Sequence, residues 1–178
     1  ALKSGFDFMR ATDGLLTNRA LIEMFRNLEQ RDDGFRRTDG TALKNEQTDE
    51  IVYVPPQSPD SIIEHMSELE QFINDDSLSA LDPLIKMAVI HHQFESIHPF
   101  PDGNGRIGRI LNVLYLTRCS LLSIPILYLS RHITQNKGDY YRLLQAVRDS
   151  DGAIKDWEAW VLFMLAAVTE TAQISLRI

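Results

Sequence analysis

The chain has 178 residues, of which 44% are hydrophobic and 24% charged, and it carries a formal net charge of −7 with a pI near 5.2. This length and composition predict a single globular domain over residues 1–178 with a sizeable core. The acidic balance argues against broad binding to nucleic acid or to membranes. The single cysteine, Cys119, excludes an internal disulfide and favours a reducing compartment, so we expect a cytoplasmic protein.

Apolar side chains recur at helical spacing through most of the chain, which predicts a mainly helical, all-α fold. Thr17 and Asp156 are the expected N-caps of the first and last helices. Residues 41–54 form the one credible β region, because residues 50–54 are rich in β-branched and aromatic side chains, and we expect a small hairpin there. The predicted helices cover residues 15–28, 58–73, 82–96, 110–121 and 136–148, with a last one from about residue 156.

Residues 98–109, His-Pro-Phe-Pro-Asp-Gly-Asn-Gly-Arg-Ile-Gly-Arg, form a tight turn between two apolar helical patterns, and their second half opens the second helix. Gly103 and Gly105 let the backbone approach a ligand closely. The amides at the start of the second helix lack intrahelical partners and lie at its positive end, which makes an anion site. Arg106 and Arg109 are three residues apart, so we expect them to share a helix face and to bind phosphate oxygens.

Two further side chains in this turn indicate a reaction at a phosphate group. His98 is the one obvious proton acceptor near neutral pH. Asp102 would repel a phosphate unless a cation bridges the two, and a carboxylate beside phosphates suits Mg²⁺. An ordinary turn, with Asp102 as an N-cap and with solvated arginines, is the competing interpretation. The combination of base, acid, glycine-flanked amide and two arginines favours the phosphate site.

Two features of the flanking helices call for a structural explanation. His91 and His92 are adjacent and therefore point to different faces of a helix, so we interpret them as structural residues rather than as metal ligands. Gly108 within a helix costs about 1 kcal/mol relative to Ala. That cost predicts a close approach by phosphate or by a neighbouring helix at this position.

The turn matches, without a mismatch, the signature His-Pro-Phe-x-(Asp/Glu)-Gly-Asn-Gly-Arg-x-x-Arg of the Fic (filamentation induced by cAMP) family. The resemblance covers about residues 15–163. It implies a Fic-type helical bundle and the activity of a protein adenylyltransferase, or AMPylator. Such an enzyme transfers AMP from ATP to a Ser, Thr or Tyr hydroxyl of a target protein, releases pyrophosphate and sometimes modifies itself.

The resemblance also implies a role for each residue of the signature. His98 deprotonates the attacking hydroxyl, and Asp102 holds Mg²⁺ across the α- and β-phosphates. Asn104 acts with the neighbouring amides to stabilise the charge that develops on the α-phosphate. The implied nucleotide-binding residues are Gly103, Asn104, Gly105, Arg106, Gly108, Arg109, Tyr140 and Tyr141.

Three segments outside the signature also resemble Fic elements. Residues 34–36, Gly-Phe-Arg, are similar to a Gly-x-(Tyr/Phe)-Arg element that precedes the family's hairpin. The hairpin itself corresponds to the Fic flap, whose exposed edge holds the target segment as an added strand; a small surface hairpin is the competing interpretation. One ring of the Tyr140–Tyr141 pair would cover the adenine, although two core tyrosines are equally compatible with the sequence. Arg148 stands where some relatives carry an Asn for the nucleotide. The implied target-binding residues are Glu50, Ile51, Val52 and Tyr53.

One family feature is missing from the sequence, so several functions stay open. Many Fic proteins restrain themselves with a helix bearing (Ser/Thr)-x-x-x-Glu-(Gly/Asn), whose Glu pairs with the second arginine of the signature, here Arg109. We expect this chain to be a fragment that lacks an N-terminal inhibitory helix, unless a partner protein supplies it. A Doc-like phosphotransferase is less favoured, because that branch carries Ala and Lys in place of Gly103 and Arg106. The sequence is also compatible with a de-AMPylase, or with a nucleotide-responsive regulator that binds nucleic acid through a domain outside this chain.

Overall fold

The computed structural model of the protein describes residues 1–45, 48–150 and 152–176. It confirms a mainly helical bundle with one small hairpin. In chain order the elements are α1 (Leu2–Ala11), α2 (Asn18–Glu29), β1 (Leu43–Lys44), β2 (Ile51–Tyr53), α3 (Pro59–Asn74), a 3-10 turn (Asp76–Leu78), α4 (Pro83–Ile97), α5 (Asn104–Arg118), α6 (Leu129–Gln135), α7 (Lys137–Asp149) and α8 (Ile154–Ser175).

Helices α4 and α5 pack against each other at the centre of the bundle. Helices α1 and α2 cover α5, whereas α3 and α8 cover α4, and α6 and α7 pack on α8. Because α4 and α5 are surrounded, both are buried on most of their circumference, and the turn that joins them is held between two fixed helix ends. Large side chains that are fully buried in this core include Phe25, Met66, Phe94, Phe100, Tyr115 and Trp160.

Local sequence signals explain where several helices begin. The Thr17 side chain caps α2 by accepting a hydrogen bond from the Ala20 amide at 3.2 Å, as predicted. Prolines open α3 and α4, where the missing N–H costs no hydrogen bond. Asp82 accepts a hydrogen bond from the Leu84 amide at 2.9 Å and so caps α4.

The prediction of Asp156 as the N-cap of the last helix is wrong. Helix α8 begins at Ile154, and Asp156 lies in its first turn, where a carboxylate interacts favourably with the positive helix end.

The strands are also shorter than the predicted region of residues 41–54, and Glu50 precedes β2 rather than lying in it. Leu43 pairs with Tyr53 and Lys44 with Ile51, with an irregularity between the two pairs.

Helix α1 lies outside the predicted helices, because Gly5 at its centre weakens the helical pattern. The structure shows why a glycine stands there: a Cβ atom at Gly5 would collide with Met24 Sδ and would lie 2.8 Å from Leu114 Cδ1. Close packing on α2 and α5 therefore stabilises α1, and this contact is not visible in the local sequence. Among the described residues, no helix combines the length and apolarity needed to cross a membrane.

Candidate active site

The turn between α4 and α5 is held by its own backbone and side chains. His98 ends α4 with a left-handed φ of 50°, and Gly103 precedes α5 with a φ of 73°. The Asn104 side chain accepts a hydrogen bond from the Phe100 amide at 2.9 Å and donates one to the Phe100 carbonyl at 2.8 Å. The Phe100 ring stacks on Phe25 of α2 at 4.6 Å. These contacts fix His98 relative to the start of α5.

Arg36 ties this turn to the base of the hairpin from a position where its side chain is only 3% exposed. Its amide donates to the Pro99 carbonyl and its Nε to the His98 carbonyl, both at 2.8 Å. Its Nη2 donates to the carbonyls of Ile97 and Pro56. Arg36 is the arginine of the Gly-Phe-Arg segment, which is one residue shorter than the family element it resembles.

A cavity of about 1010 Å³ opens between the hairpin, the end of α4, the start of α5 and helix α7. Five of its lining side chains are basic, and Glu95 carries the only carboxyl among the described lining residues. A chain with a net charge of −7 therefore presents a cationic pocket, which suits a polyanionic ligand. The charged and aromatic lining residues are Lys44, Glu95, His98, Arg109, Lys137, Tyr140, Tyr141, Arg142 and Arg148.

His98 is half-buried and lines this cavity. Burial, together with the positive charges of Arg36 and Arg148, lowers the pKa of His98 to about 4. The imidazole is therefore neutral at pH 7 and able to accept a proton.

The two arginines of the signature lie three residues apart on α5, as expected, but their side chains make different contacts. Arg109 lines the cavity, and its Nε donates to Ser130 Oγ at 2.9 Å. Arg106 is turned toward the end of α2, where its Nη2 lies 2.6 Å from Glu29 Oε1. Arg109 alone of the two is placed at the cavity in this structure.

The glycines of the turn make room for protein groups as well as for a ligand. A Cβ at Gly103 would collide with the Glu29 carboxylate, and one at Gly105 would lie 3.1 Å from Arg109 Nη1. A Cβ at Gly108 would lie 2.7 Å from Glu95 Oε1 on α4. Close packing against α4, one of the two predicted possibilities, thus explains why a glycine stands at position 108. The part of Gly108 in nucleotide binding remains a prediction. Gly105 lines the cavity directly.

Asp102 is exposed, and its Oδ1 accepts a hydrogen bond from the Gly103 amide at 2.6 Å. The described residues contain no group of three or more His, Cys, Asp or Glu side chains that would hold a metal by itself. A single accessible carboxylate would fit Mg²⁺ if a phosphate were bound nearby, because Mg²⁺ usually takes most of its ligands from water and substrate phosphates. Among the predicted site residues of the signature, His98, Gly105 and Arg109 line the cavity, whereas Asp102, Gly103, Asn104, Arg106 and Gly108 do not.

The two tyrosines of α7, Tyr140 and Tyr141, differ in burial. Tyr140 is 3% exposed, and its hydroxyl lies 2.9 Å from His91 Nε2, so its ring belongs to the core. Tyr141 is 54% exposed and presents its ring at the cavity, with Lys137 Nζ 5.8 Å from the ring centre. Both tyrosines line the cavity, and Tyr141 is the more exposed of the two.

Arg148 joins the hairpin to the end of α4. Its Nη2 donates to the Glu95 carbonyl and its Nε to Ser96 Oγ, both at 3.0 Å. The Tyr53 ring of β2 covers its guanidinium at 3.9 Å. The neighbouring Ile51 and Val52 are 59% and 45% exposed, and Val52 lines the cavity, so the hairpin is anchored through Tyr53 and leaves apolar side chains accessible.

Four charged residues of the cavity lining, Lys44, Glu95, Lys137 and Arg142, are not predicted from the sequence, and Glu95 is the most buried of them. It lies in the last turn of α4 and is 7% exposed, with Oε1 buried and without a hydrogen-bond partner among the described residues. Burial raises its pKa to about 7, against the opposing effect of Arg109 and Arg148. An acid within an apolar helix, three residues before the histidine of the turn, was the available signal.

Known proteins share both the sequence pattern and the fold. The model of the Fic/DOC family matches residues 13–116, more than half of the chain. Protein adenylyltransferase fic-1 of Caenorhabditis briggsae is 33% identical over 98 residues, which are 54% of this chain and 18% of that protein. Protein adenylyltransferase Fic of Drosophila erecta is 30% identical over 99 residues, which are 56% of this chain and 19% of that protein. The chain thus spans about a fifth of the length of these curated relatives.

Solved structures extend the similarity to nearly the whole chain. A Fic family protein from Desulfovibrio desulfuricans G20 has a TM-score of 0.76 at 26% identity, covering 97% of this chain and 50% of that one. Fic-1 from Caenorhabditis elegans has a TM-score of 0.64 at 20% identity, covering 99% of this chain and 50% of that one, and this likeness concerns the fold alone. From the matched family model and the geometry of the turn we conclude that the chain belongs to the Fic/DOC family.

Proposed function

We propose that the protein is an adenylyltransferase that transfers AMP from ATP to a Ser, Thr or Tyr hydroxyl of a target protein. The observation that carries this proposal is one cavity lined by the His98 imidazole, by Gly105 at the start of α5 and by five Lys and Arg side chains. The names of the relatives support the same reaction class.

In the proposed reaction, His98 takes the proton of the target hydroxyl as its oxygen attacks the α-phosphorus. The bond from that phosphorus to the β-phosphate bridging oxygen breaks, and pyrophosphate leaves. A general base of this kind contributes on the order of 10²–10⁴ in rate. The lowered pKa of His98 keeps the imidazole neutral at pH 7 and also makes it a weaker base, so catalysis depends on the orientation that the fixed backbone of the turn supplies.

The nucleotide phosphates would lie at the first turn of α5, where Gly105 leaves the backbone open and the Arg109 guanidinium faces the cavity. Arg106 would join them after releasing Glu29. Asn104 would act mainly by shaping the turn, since both polar atoms of its side chain bond to Phe100. Tyr141 would stack on the adenine.

Asp102 would hold the Mg²⁺ ion that neutralises charge on the phosphates. The carboxylate is exposed on the turn that also carries His98, so a phosphate-bound cation has access to it. The target segment would add to the hairpin edge, because an open strand binds a peptide through main-chain hydrogen bonds with little sequence demand. The exposed Ile51, Val52 and Val54 side chains would add apolar contact.

Incubation with ATP labelled on either the α- or the γ-phosphate, with cell lysate as the source of targets, tests this proposal. We expect label on protein from α-labelled ATP alone. The His98→Ala variant should lose this transfer by at least 10²-fold while it keeps its ATP affinity, because it lacks the base but retains the phosphate site. His65→Ala is the matched control, since His65 is exposed on α3.

Any different outcome would replace the proposal with another function. Transfer from γ-labelled ATP would identify a phosphotransferase. The absence of transfer, with ATP bound, would favour a nucleotide-responsive regulator, and release of AMP from a modified protein would identify a de-AMPylase. Equal loss of ATP binding and transfer in His98→Ala would show that His98 is a structural residue.

A further inference from the structure

The Glu95 carboxyl lies at the proposed phosphate site, and no step of the proposed reaction uses this group. Its Oε1 lies 3.9 Å from the position that a Cβ of Gly105 would take and 2.7 Å from the equivalent position at Gly108. These two residues lie on one face of the first turns of α5, so the carboxyl packs against the start of that helix. The same Gly105 position is 3.1 Å from Arg109 Nη1.

Glu95 Oε1 is buried and lacks a hydrogen-bond partner among the described residues. None of the ion pairs between described residues joins Glu95 to Arg109. Leaving a buried polar atom unpaired costs about 1–3 kcal/mol. Such an atom at the edge of a cavity, beside a helix start and a guanidinium, suggests that a bound ligand completes it.

The charges around Glu95 and its burial together set the protonation state of the Glu95 carboxyl. Arg109 of α5 and Arg148 of α7 favour the carboxylate, whereas burial favours the neutral acid. Tyr140 of α7 and His91 of α4 also lie close, and both are neutral at pH 7, because burial raises the pKa of Tyr140 and lowers that of His91. The balance places the pKa of Glu95 at about 7, so both forms are present near neutrality.

We propose that protonated Glu95 donates a hydrogen bond to a phosphate oxygen of the bound nucleotide, and that ionised Glu95 weakens this binding. The protonated acid has a donor for the phosphate oxygen at the edge of the cationic pocket. The carboxylate repels the phosphate and competes with it for Arg109. Glu95 thereby becomes a pH-dependent determinant of nucleotide affinity. This inference rests on the proposed function, because it requires phosphates at the start of α5.

The test compares ATP affinity of the wild type and Glu95→Gln by calorimetry from pH 6 to pH 8.5 at constant ionic strength. Gln keeps a donor and remains neutral, so its affinity should vary with pH only through the ionisation of ATP. That ionisation is common to both proteins, and the ratio of the two dissociation constants isolates Glu95. We expect the wild type to bind progressively less well than the variant above pH 7, by up to about tenfold per pH unit.

A second measurement does not depend on the variant. Calorimetry of the wild type at pH 7.5 in two buffers of different ionisation enthalpy should show net proton uptake on ATP binding, beyond that of the nucleotide itself. A pH-independent ratio of affinities, or an absence of this uptake, would overturn the inference and leave the proposed function intact. A failure of either protein to bind ATP at any pH would overturn both.

Discussion

Replacing Gly108 with Ala tests whether the central helix pair is packed as closely as the structure shows. Gly108 lies inside α5 and faces α4, where an added Cβ would be 2.7 Å from Glu95 Oε1, 3.1 Å from Phe94 Cδ1 and 3.3 Å from His91 Cε1. All three neighbours are buried, and Phe94 and His91 are fully so, which leaves them little room to move.

The magnitude follows from two opposing effects. Overpacking a well-filled core by one methyl group costs roughly 1–3 kcal/mol. Ala in place of Gly inside a helix stabilises by about 1 kcal/mol. We therefore expect Gly108→Ala to lower the free energy of unfolding by up to about 2 kcal/mol, and by about 1–3 kcal/mol relative to a Gly→Ala change that meets no neighbour. The variant should also weaken ATP binding, since the nearest clash is with the Glu95 carboxyl.

Urea denaturation followed by circular dichroism measures this effect, with Gly138→Ala as the matched control. Gly138 lies in the first turn of α7 with a negative φ, and an added Cβ there would meet no atom within 4 Å. The control should be as stable as the wild type or up to about 1 kcal/mol more stable. If Gly108→Ala matched the control, with an unchanged m-value, the close packing of α4 on α5 would be refuted.

Two further predictions concern stability. Arg36→Ala should lower the free energy of unfolding by about 3 kcal/mol, because it leaves several buried carbonyls without a donor. The control is Arg37→Ala at an exposed position, which should change the free energy of unfolding by less than about 0.5 kcal/mol in the same urea titration. Stability should also fall between pH 6.5 and about 4, because burial lowers the pKa of His91 to about 3 and that of His92 to about 4, so the unfolded chain binds more protons in this window. Glu95 acts in the opposite direction from pH 4.5 to 7, because its raised pKa keeps it protonated in the folded state, and Glu95→Gln should therefore steepen the acid loss. A urea midpoint that stays constant from pH 6.5 to 4.5 in both proteins would contradict the burial of the two histidines.

Much of the fold could be predicted because helical periodicity and capping residues are local signals. The α2 cap at Thr17 and the proline-opened α3 and α4 appear where their sequence signatures stand. Helix α1 could not be predicted, because it depends on a glycine that fits against two other helices. Asp156 was misassigned because an acidic residue suits both an N-cap and the first turn.

The candidate site was predictable as a segment but not in its side-chain directions. The signature located His98 and the start of α5, whereas the partner of Arg106 is Glu29, 77 positions earlier in the chain, and tertiary packing sets that contact. The sequence could not decide which tyrosine is buried and which is exposed, because that depends on which face of α7 packs on α8. The partners of Arg148 depend equally on where the hairpin packs.

The most direct test of the central claim is a parallel measurement of the intact protein mass and of released pyrophosphate after incubation with ATP and Mg²⁺. The account predicts AMP addition to a protein in the mixture, matched one for one by pyrophosphate, and the loss of both in His98→Ala with ATP binding preserved. AMP addition at the wild-type rate in His98→Ala, or hydrolysis to phosphate without any adduct in the wild type, would contradict it.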